Sequence, residues 1–208
     1  MKNLKKGMSI KEVTLSILIV GIVTTAALII FIGKYKTSTL EAQIKKAFST
    51  LNNAATNANT MGTYWSQWGK KADGSIGWNS IQDEQDFYDN YLKPYTIKLK
   101  TKEINGTLYA KFTDGMSINL TADECVNFHV DINGRKGTGR YGVDKFVFDF
   151  CPYKLNETHY VEEVVPHGMK KNTTRTQAIQ MCKESKEYCG MVIYMDSWKV
   201  SKDYPIRL

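Results

Sequence analysis

From Val13 to Ile32 the chain runs for twenty residues without a charge and is rich in Ile, Leu and Val. As an α-helix this stretch rises roughly 30 Å, the thickness of a bilayer's hydrocarbon core. Past residue 34 the pattern changes. Apolar residues recur at Leu40, Ile44, Ala47, Leu51, Ala54 and Ala58, steps of three and four that mark one stripe of an amphipathic helix. The pattern predicts one long helix over 8–60, apolar all round in its first half and striped in its second. Asn57-Ala-Asn-Thr-Met-Gly62 reads as its frayed end. Gly21 and Gly33 are either points of flexure or the glycines common in transmembrane helices.

Between Tyr64 and Tyr95 the chain is crowded with Tyr64, Trp65, Trp68, Trp78, Phe87, Tyr88, Tyr91 and Tyr95. Such rings can stack on bases or sugars, but their ordinary use is to fill a core. A polar loop is expected at Gly69–Gly77, and a helix at Asp83–Leu92 closed by Pro94. From Ile97 the period becomes two. Leu108–Phe112 and Met116–Leu120 flank Asp114-Gly115, a hairpin signal; a slightly bulged turn pairing Phe112 with Ile118 and Ala110 with Leu120 would match apolar residues. In the next pair of strands, Val126–Val130 and Phe146–Phe150, opposing Val130 with Phe146, Phe128 with Phe148 and Val126 with Phe150 gathers the large apolar side chains on one face.

That register also sets Cys125 opposite Cys151 on the other face, at the Cβ separation a disulfide needs. Cys182 and Cys189 are then left to pair. Seven residues of unbroken helix rise about 10.5 Å, so the helix suggested by Thr173–Cys182 must end soon after Cys182. All four cysteines follow the apolar helix, and an even count in an exported domain suggests an oxidising compartment. Zinc is the alternative, but neither C-x-x-C nor a paired His spacing is present.

The basic leader Met1-Lys-Asn-Leu-Lys-Lys-Gly7 precedes Met8-Ser-Ile-Lys-Glu12. No Ala-x-Ala site closes the apolar run, so the helix is expected to be kept rather than discarded with a signal peptide. Glu12 stands at the edge of the membrane run, where an ionisable side chain needs a partner. Gly7 followed by Met8-Ser9-Ile10-Lys11-Glu12 and an apolar helix resembles the prepilin cleavage and methylation signature of type IV pilins and type II secretion pseudopilins. The resemblance implies that a membrane peptidase cuts after Gly7 and methylates Met8. It also implies that Glu12 neutralises the N-terminal amine of a neighbouring subunit, each group relieving the other's burial cost. The chain departs from the pattern in having Met8 where Phe is common and Lys11 where an aliphatic is usual; Lys11 could pair with Glu12 or snorkel to the headgroups. The plainer alternative is a single-pass anchor. Lysines balance across the helix, with Lys2, Lys5, Lys6 and Lys11 on one side and Lys34, Lys36, Lys45 and Lys46 on the other. The positive-inside rule therefore does not orient it; the resemblance places the N-terminus in the cytoplasm and residues 34–208 outside.

Asp131-Ile-Asn133-Gly134, with Asp144 closing the shell, has the oxygen-rich start of a calcium loop. The same hairpin resembles the C-terminal loop of pseudopilin-like proteins, some of which hold calcium there. Arg135, Lys136 and Arg140 oppose a divalent ion, and Asx turns would explain Asp131 and Asn133 equally. Calcium is the only cofactor in view. Trp198 and Tyr204-Pro205 resemble the ending of prepilin-like proteins.

The formal charge of +7 falls to +4 once the leader's three lysines leave. A basic exported domain can favour acidic surfaces, but no Lys/Arg run is dense enough for a nucleic-acid site. His129, His159 and His167 stand in no metal or nucleophile motif, and catalysis is not expected. Asn105, Asn119, Asn156 and Asn172 begin N-x-Ser/Thr triplets, which matter only in a glycosylating host.

The expectation is an α+β, pilin-like fold, its long N-terminal helix packed on an antiparallel β-sheet. Its parts are leader 1–7, transmembrane half 8–33, amphipathic half 34–60 and exported domain 61–208. The protein would be a subunit of a type IV pilus or type II secretion pseudopilus. It would sit single-pass in the inner (cytoplasmic) membrane before entering a filament in the periplasm or at the cell surface. Its partners would be other pilin or pseudopilin subunits, the prepilin peptidase, the inner-membrane assembly platform and lipid. The alternatives are a filament-tip module binding DNA, carbohydrate or cells through the aromatic segment, and an anchored periplasmic domain that never polymerises.

Overall fold

The computed structural model describes residues 9–60, 77–78, 80–96, 99–122, 125–134, 139–151, 157–158, 160 and 163–208. The chain divides into two compact units, Met1–Thr39 and Leu40–Leu208. The first helix, α1 (Ile10–Thr60), contributes to both.

In the first unit α1 exposes its large apolar side chains on every side, from Ile10, Val13 and Leu15 to Phe31 and Ile32. It is long and apolar enough to span a membrane. Its hydroxyls suit that solvent. Thr14 Oγ1 donates to the Ile10 carbonyl, Ser16 Oγ to that of Glu12, Thr24 Oγ1 to that of Val20 and Thr25 Oγ1 to that of Gly21. Each polar group is thus satisfied inside the helix, as hydrocarbon requires.

In the second unit the stripe Leu40, Ile44, Ala47, Leu51, Ala54 and Ala58 is buried throughout, as its spacing predicts. It packs on a six-stranded antiparallel sheet in which each strand neighbours the next in sequence: β1 (Lys100–Ile104), β2 (Thr107–Lys111), β3 (Ser117–Ala122), β4 (Val126–Asp131), β5 (Lys145–Phe150) and β6 (Val164–Pro166). Ala110, Ile118, Val130 and Phe146 form one cross-strand row on the core face; Leu120, Phe128 and Phe148 form the next. Phe48 of α1 lies 5.8 Å from Phe148 and 4.8 Å from Trp198, ring centre to ring centre.

The β4–β5 register pairs Val130 with Phe146, Phe128 with Phe148 and Val126 with Phe150, as the alternation predicts. The hairpin before it is tighter than expected. Ala110 opposes Ile118, not Leu120, and the Phe112 N–H donates to the Met116 carbonyl. A shift of two residues keeps apolar against apolar, so turn chemistry decides. Gly115 takes φ +96°, and the Asp114 carboxylate accepts the Met116 N–H, giving a three-residue loop with glycine in the left-handed position. The strand β1 has no counterpart in the sequence reading, although Asn105-Gly106, at φ 53° and 76°, is the dipeptide that a two-residue hairpin turn prefers.

The helix expected at Asp83–Leu92 is α2 (Ile81–Phe87) followed by a π turn, Tyr88–Leu92. Ser80 and Asp83 make its capping box. Phe87, Tyr88 and Leu92 are buried in the core, and Trp78 meets Phe87 edge-on at 5.7 Å. The described members of the aromatic segment therefore serve packing; Tyr64, Trp65 and Trp68 lie outside the described residues. At the C-terminal end come α3 (Arg175–Glu184), capped by Thr174 and Gln177, and α4 (Cys189–Met195).

Candidate functional site

The residues singled out by the leader motif fall at the head of α1. Gly7 and Met8 lie outside the described residues. Ser9 precedes the first turn and Glu12 is its third helical residue, so Ser9-x-x-Glu12 is also a capping-box pattern, which the sequence reading overlooked. The Ser9 N–H donates to Glu12 Oε2 at 2.7 Å, and the Lys11 N–H donates to Ser9 Oγ at 3.3 Å. The Glu12 carboxylate therefore already points back toward the N-terminal end of the helix, one residue from Met8. It reads the same way chemically: an anion among the orphan N–H groups of a helix start is favourable. A neighbouring amine would have to replace, or share, the Ser9 N–H.

In the second unit the two disulfides are Cys125–Cys151 and Cys182–Cys189, and α3 ends two residues past Cys182, as that pairing requires.

The loop between β4 and β5 brings Asn133 and Asp144 together, with Asn133 Nδ2 donating to Asp144 Oδ2 at 3.5 Å. Backbone amides take the carboxylate oxygens. Asp131 Oδ1 accepts the N–H groups of Asn133 and Gly134, at 3.2 and 2.9 Å, while Asp144 accepts those of Arg140 and Gly139, at 2.6 and 3.1 Å. The Asp131 bonds are the Asx turn named above as the alternative to calcium at that residue, whereas Asp144 reaches back to N–H groups four and five residues before it. Among the described residues no group of three or more His, Cys, Asp or Glu is placed to hold a metal ion.

A polar cluster invisible in the sequence sits on the other face of the sheet. Asp149 is buried; its Oδ1 accepts from Asn127 Nδ2 at 2.7 Å and meets His167 Nδ1 at 2.8 Å, and its Oδ2 accepts the Gly168 N–H at 2.9 Å. The His167 ring stacks on Tyr188 at 5.0 Å. Gly168, at φ +72°, could not carry a Cβ, which would lie 2.7 Å from the Tyr188 ring. The arrangement clamps the turn after β6 onto β5.

Next to it, His129 Nε2 meets Thr121 Oγ1 at 2.8 Å and its Nδ1 meets the Tyr141 hydroxyl at 2.9 Å. Burial, helped by the Lys145 cation, pushes His129 down to about 4, so the ring is neutral at physiological pH. Burial, with the Glu187 carboxylate nearby, pushes the Tyr141 hydroxyl up to about 12, so it too is neutral. A neutral ring donates through one of these nitrogens and accepts through the other, and both hydroxyls can take either role.

Two further groups escaped the sequence reading. Glu84 of α2 has one carboxyl oxygen, Oε1, buried without a partner, and burial pushes it up to about 7 despite a hydrogen bond from the Leu120 backbone. Arg175 holds the C-terminal tail to the start of α3, with Nε and Nη2 on the Asp196 carboxylate at 2.6 and 2.9 Å and Nη1 and Nη2 on Asp203 at 2.8 and 2.7 Å. The guanidinium holds both carboxyls below their usual range. Neither an isolated glutamate in a helix nor an arginine 21 and 28 residues from its partners leaves a periodic signal.

No curated protein and no solved structure matches the chain. A family model described as a family of unknown function, DUF6613, matches residues 30–208, and the chain belongs to that family.

Proposed function

We propose that this protein is a pilin-like or pseudopilin-like subunit. It is cut after Gly7, methylated on Met8 and assembled into a filament through the apolar half of α1. The observation that carries the reading is the head of α1: a glutamate four residues past Met8, its carboxylate turned toward the chain end, on a helix whose apolar residues are exposed on every side from Ile10 to Ile32. A surface of that size and composition demands lipid or other copies as its environment. The long helix packed by its second half on an antiparallel sheet supports the same reading. So do two disulfides after the apolar segment, which fit an exported domain.

Assembly by helix packing needs no catalytic group of the subunit's own. The cost of placing Glu12 in lipid is offset when a neighbour's amine takes the place of water, so the pair sets the axial register. The described aromatics of the 64–95 segment lie in the core or pack against it, which leaves the tip-binding alternative without Trp78, Phe87, Tyr88, Tyr91 and Tyr95 as a stacking platform. The test is Glu12→Ala in the producing cell. Leader removal should persist while incorporation into sheared filaments falls at least tenfold; normal incorporation would overturn the pairing.

A further inference from the structure

Strands β1 and β2 form the hairpin at the edge of the sheet, and its two faces differ. One carries Leu108 and Ala110 into the core. The other carries Lys100, Lys102 and Lys111, all exposed, together with Tyr109. Lys100 stands directly opposite Lys111, and Lys102 opposite Tyr109. Directly opposed like charges destabilise a strand pair. Among the described residues none of the three lysines is paired with a carboxylate. Lysine on an edge strand discourages further sheet pairing, and that accounts for β1. It does not account for Lys111, on the second strand and opposite Lys100.

The complementary charge lies in the same chain. Asp83, Asp86 and Asp89 follow at three-residue steps along α2 and the π turn, on the side away from buried Phe87, Tyr88 and Leu92. Asp83 and Asp86 are exposed; Asp89 is half-buried and shares Lys93. Phe87, Tyr88 and Leu92 join the core that Leu108, Ala110 and Ile118 line, so the acidic stripe lies on the core side of the hairpin and the lysines on the other. The two patches cannot meet within one molecule. Between molecules they can. A contact between two different patches of identical chains is head-to-tail, and its repetition builds a ring or an open helical array rather than a closed dimer.

We propose that the lysine face of the β1–β2 hairpin docks on the acidic stripe of α2 and its π turn in a second copy of this chain. This inference rests on the polymer reading above and names the contact between its globular units. The test uses the full-length protein purified in detergent from cells grown on light nitrogen and from cells grown on heavy nitrogen, mixed, reconstituted together into lipid vesicles and linked with a zero-length carbodiimide. Mass spectrometry should find light–heavy peptides joining Lys100, Lys102 or Lys111 to Asp83, Asp86 or Asp89. A Lys100→Glu/Lys102→Glu/Lys111→Glu variant should lower the yield of linked multimers at least fivefold. Adding Asp86→Lys/Asp89→Lys, which spares the Ser80–Asp83 cap, should restore it. A charge-swapped chain that regains linkage is folded by that fact. Multimers that form undiminished in the lysine variant sink this contact and leave the polymer reading standing. A wild type with no light–heavy links of any kind sinks both. Lysines linked only to carboxylates of co-purified proteins would make the occupant a different acidic partner and overturn the proposal.

Discussion

Glu84→Gln should stabilise the protein at pH 8 and leave it unchanged at pH 4.5. The Glu84 carboxyl is carried from 4.5 to about 7 by burial, with Oε1 unpartnered and the Leu120 backbone the one group that favours its charge. Tyr88 and Tyr109 face the same region. A folded-state value raised above the unfolded one means that Glu84 costs nothing below pH 4.5; the cost grows as pH rises through the folded value and is complete above about 7. Undiscounted, at about 1.4 kcal/mol per pH unit, that is about 3.4 kcal/mol. The rest of the side chain reaches solvent, and screening brings the figure to about 1–2 kcal/mol. For a unit of this size that is about 3–6 °C in Tm. The assay is thermal unfolding of full-length protein in detergent across pH 4.5–8, read as variant minus wild type. The subtraction matters because His129 acts in the opposite sense over the same range. A Glu84→Gln protein that melts at or below the wild type at pH 8, or whose gain is the same at pH 4.5, would refute the reasoning.

Cys125→Ser/Cys151→Ser should lose about 3.5 kcal/mol and Cys182→Ser/Cys189→Ser about 2.4, because the first bridge closes a loop of sequence separation 26 and the second one of 7; denaturant unfolding that ranks them the other way would contradict the loop argument. His129 should titrate near pH 4 in nitrogen NMR. Because its folded value is depressed, its contribution is present above about pH 6.5 and lost as pH falls through about 4; a ring titrating at 6.5 would contradict its burial.

The legible parts of this fold are those where a strong period meets a strong burial contrast. The stripe from Leu40 to Ala58 and the alternation of Phe146, Phe148 and Phe150 admit one arrangement each, and the latter carried Cys125 to Cys151. The Phe112 hairpin was legible only as to face. Registers two residues apart present the same faces, and the choice fell to the positive φ of Gly115. Strand β1, Lys-Thr-Lys-Glu-Ile, escaped because an edge strand has little to bury, although Asn105-Gly106 announced its turn. Strand β6 is three residues long, too short for a period. The Asp149 cluster joins residues 18 and 22 apart, a coincidence of topology with no local trace. At the head of α1 the motif was legible, but the bond from the Ser9 N–H to Glu12 was not anticipated, and it gives the glutamate a second use within its own chain.

The central claim is that this helix begins, in the mature protein, at a new amine beside Glu12. Its most direct test is the mass of the N-terminal peptide of protein isolated from cells that contain a prepilin peptidase. The account predicts a chain starting at Met8 and heavier by one CH2, a methyl in place of an amine hydrogen; a chain that still carries Lys2, Lys5 and Lys6 would contradict it.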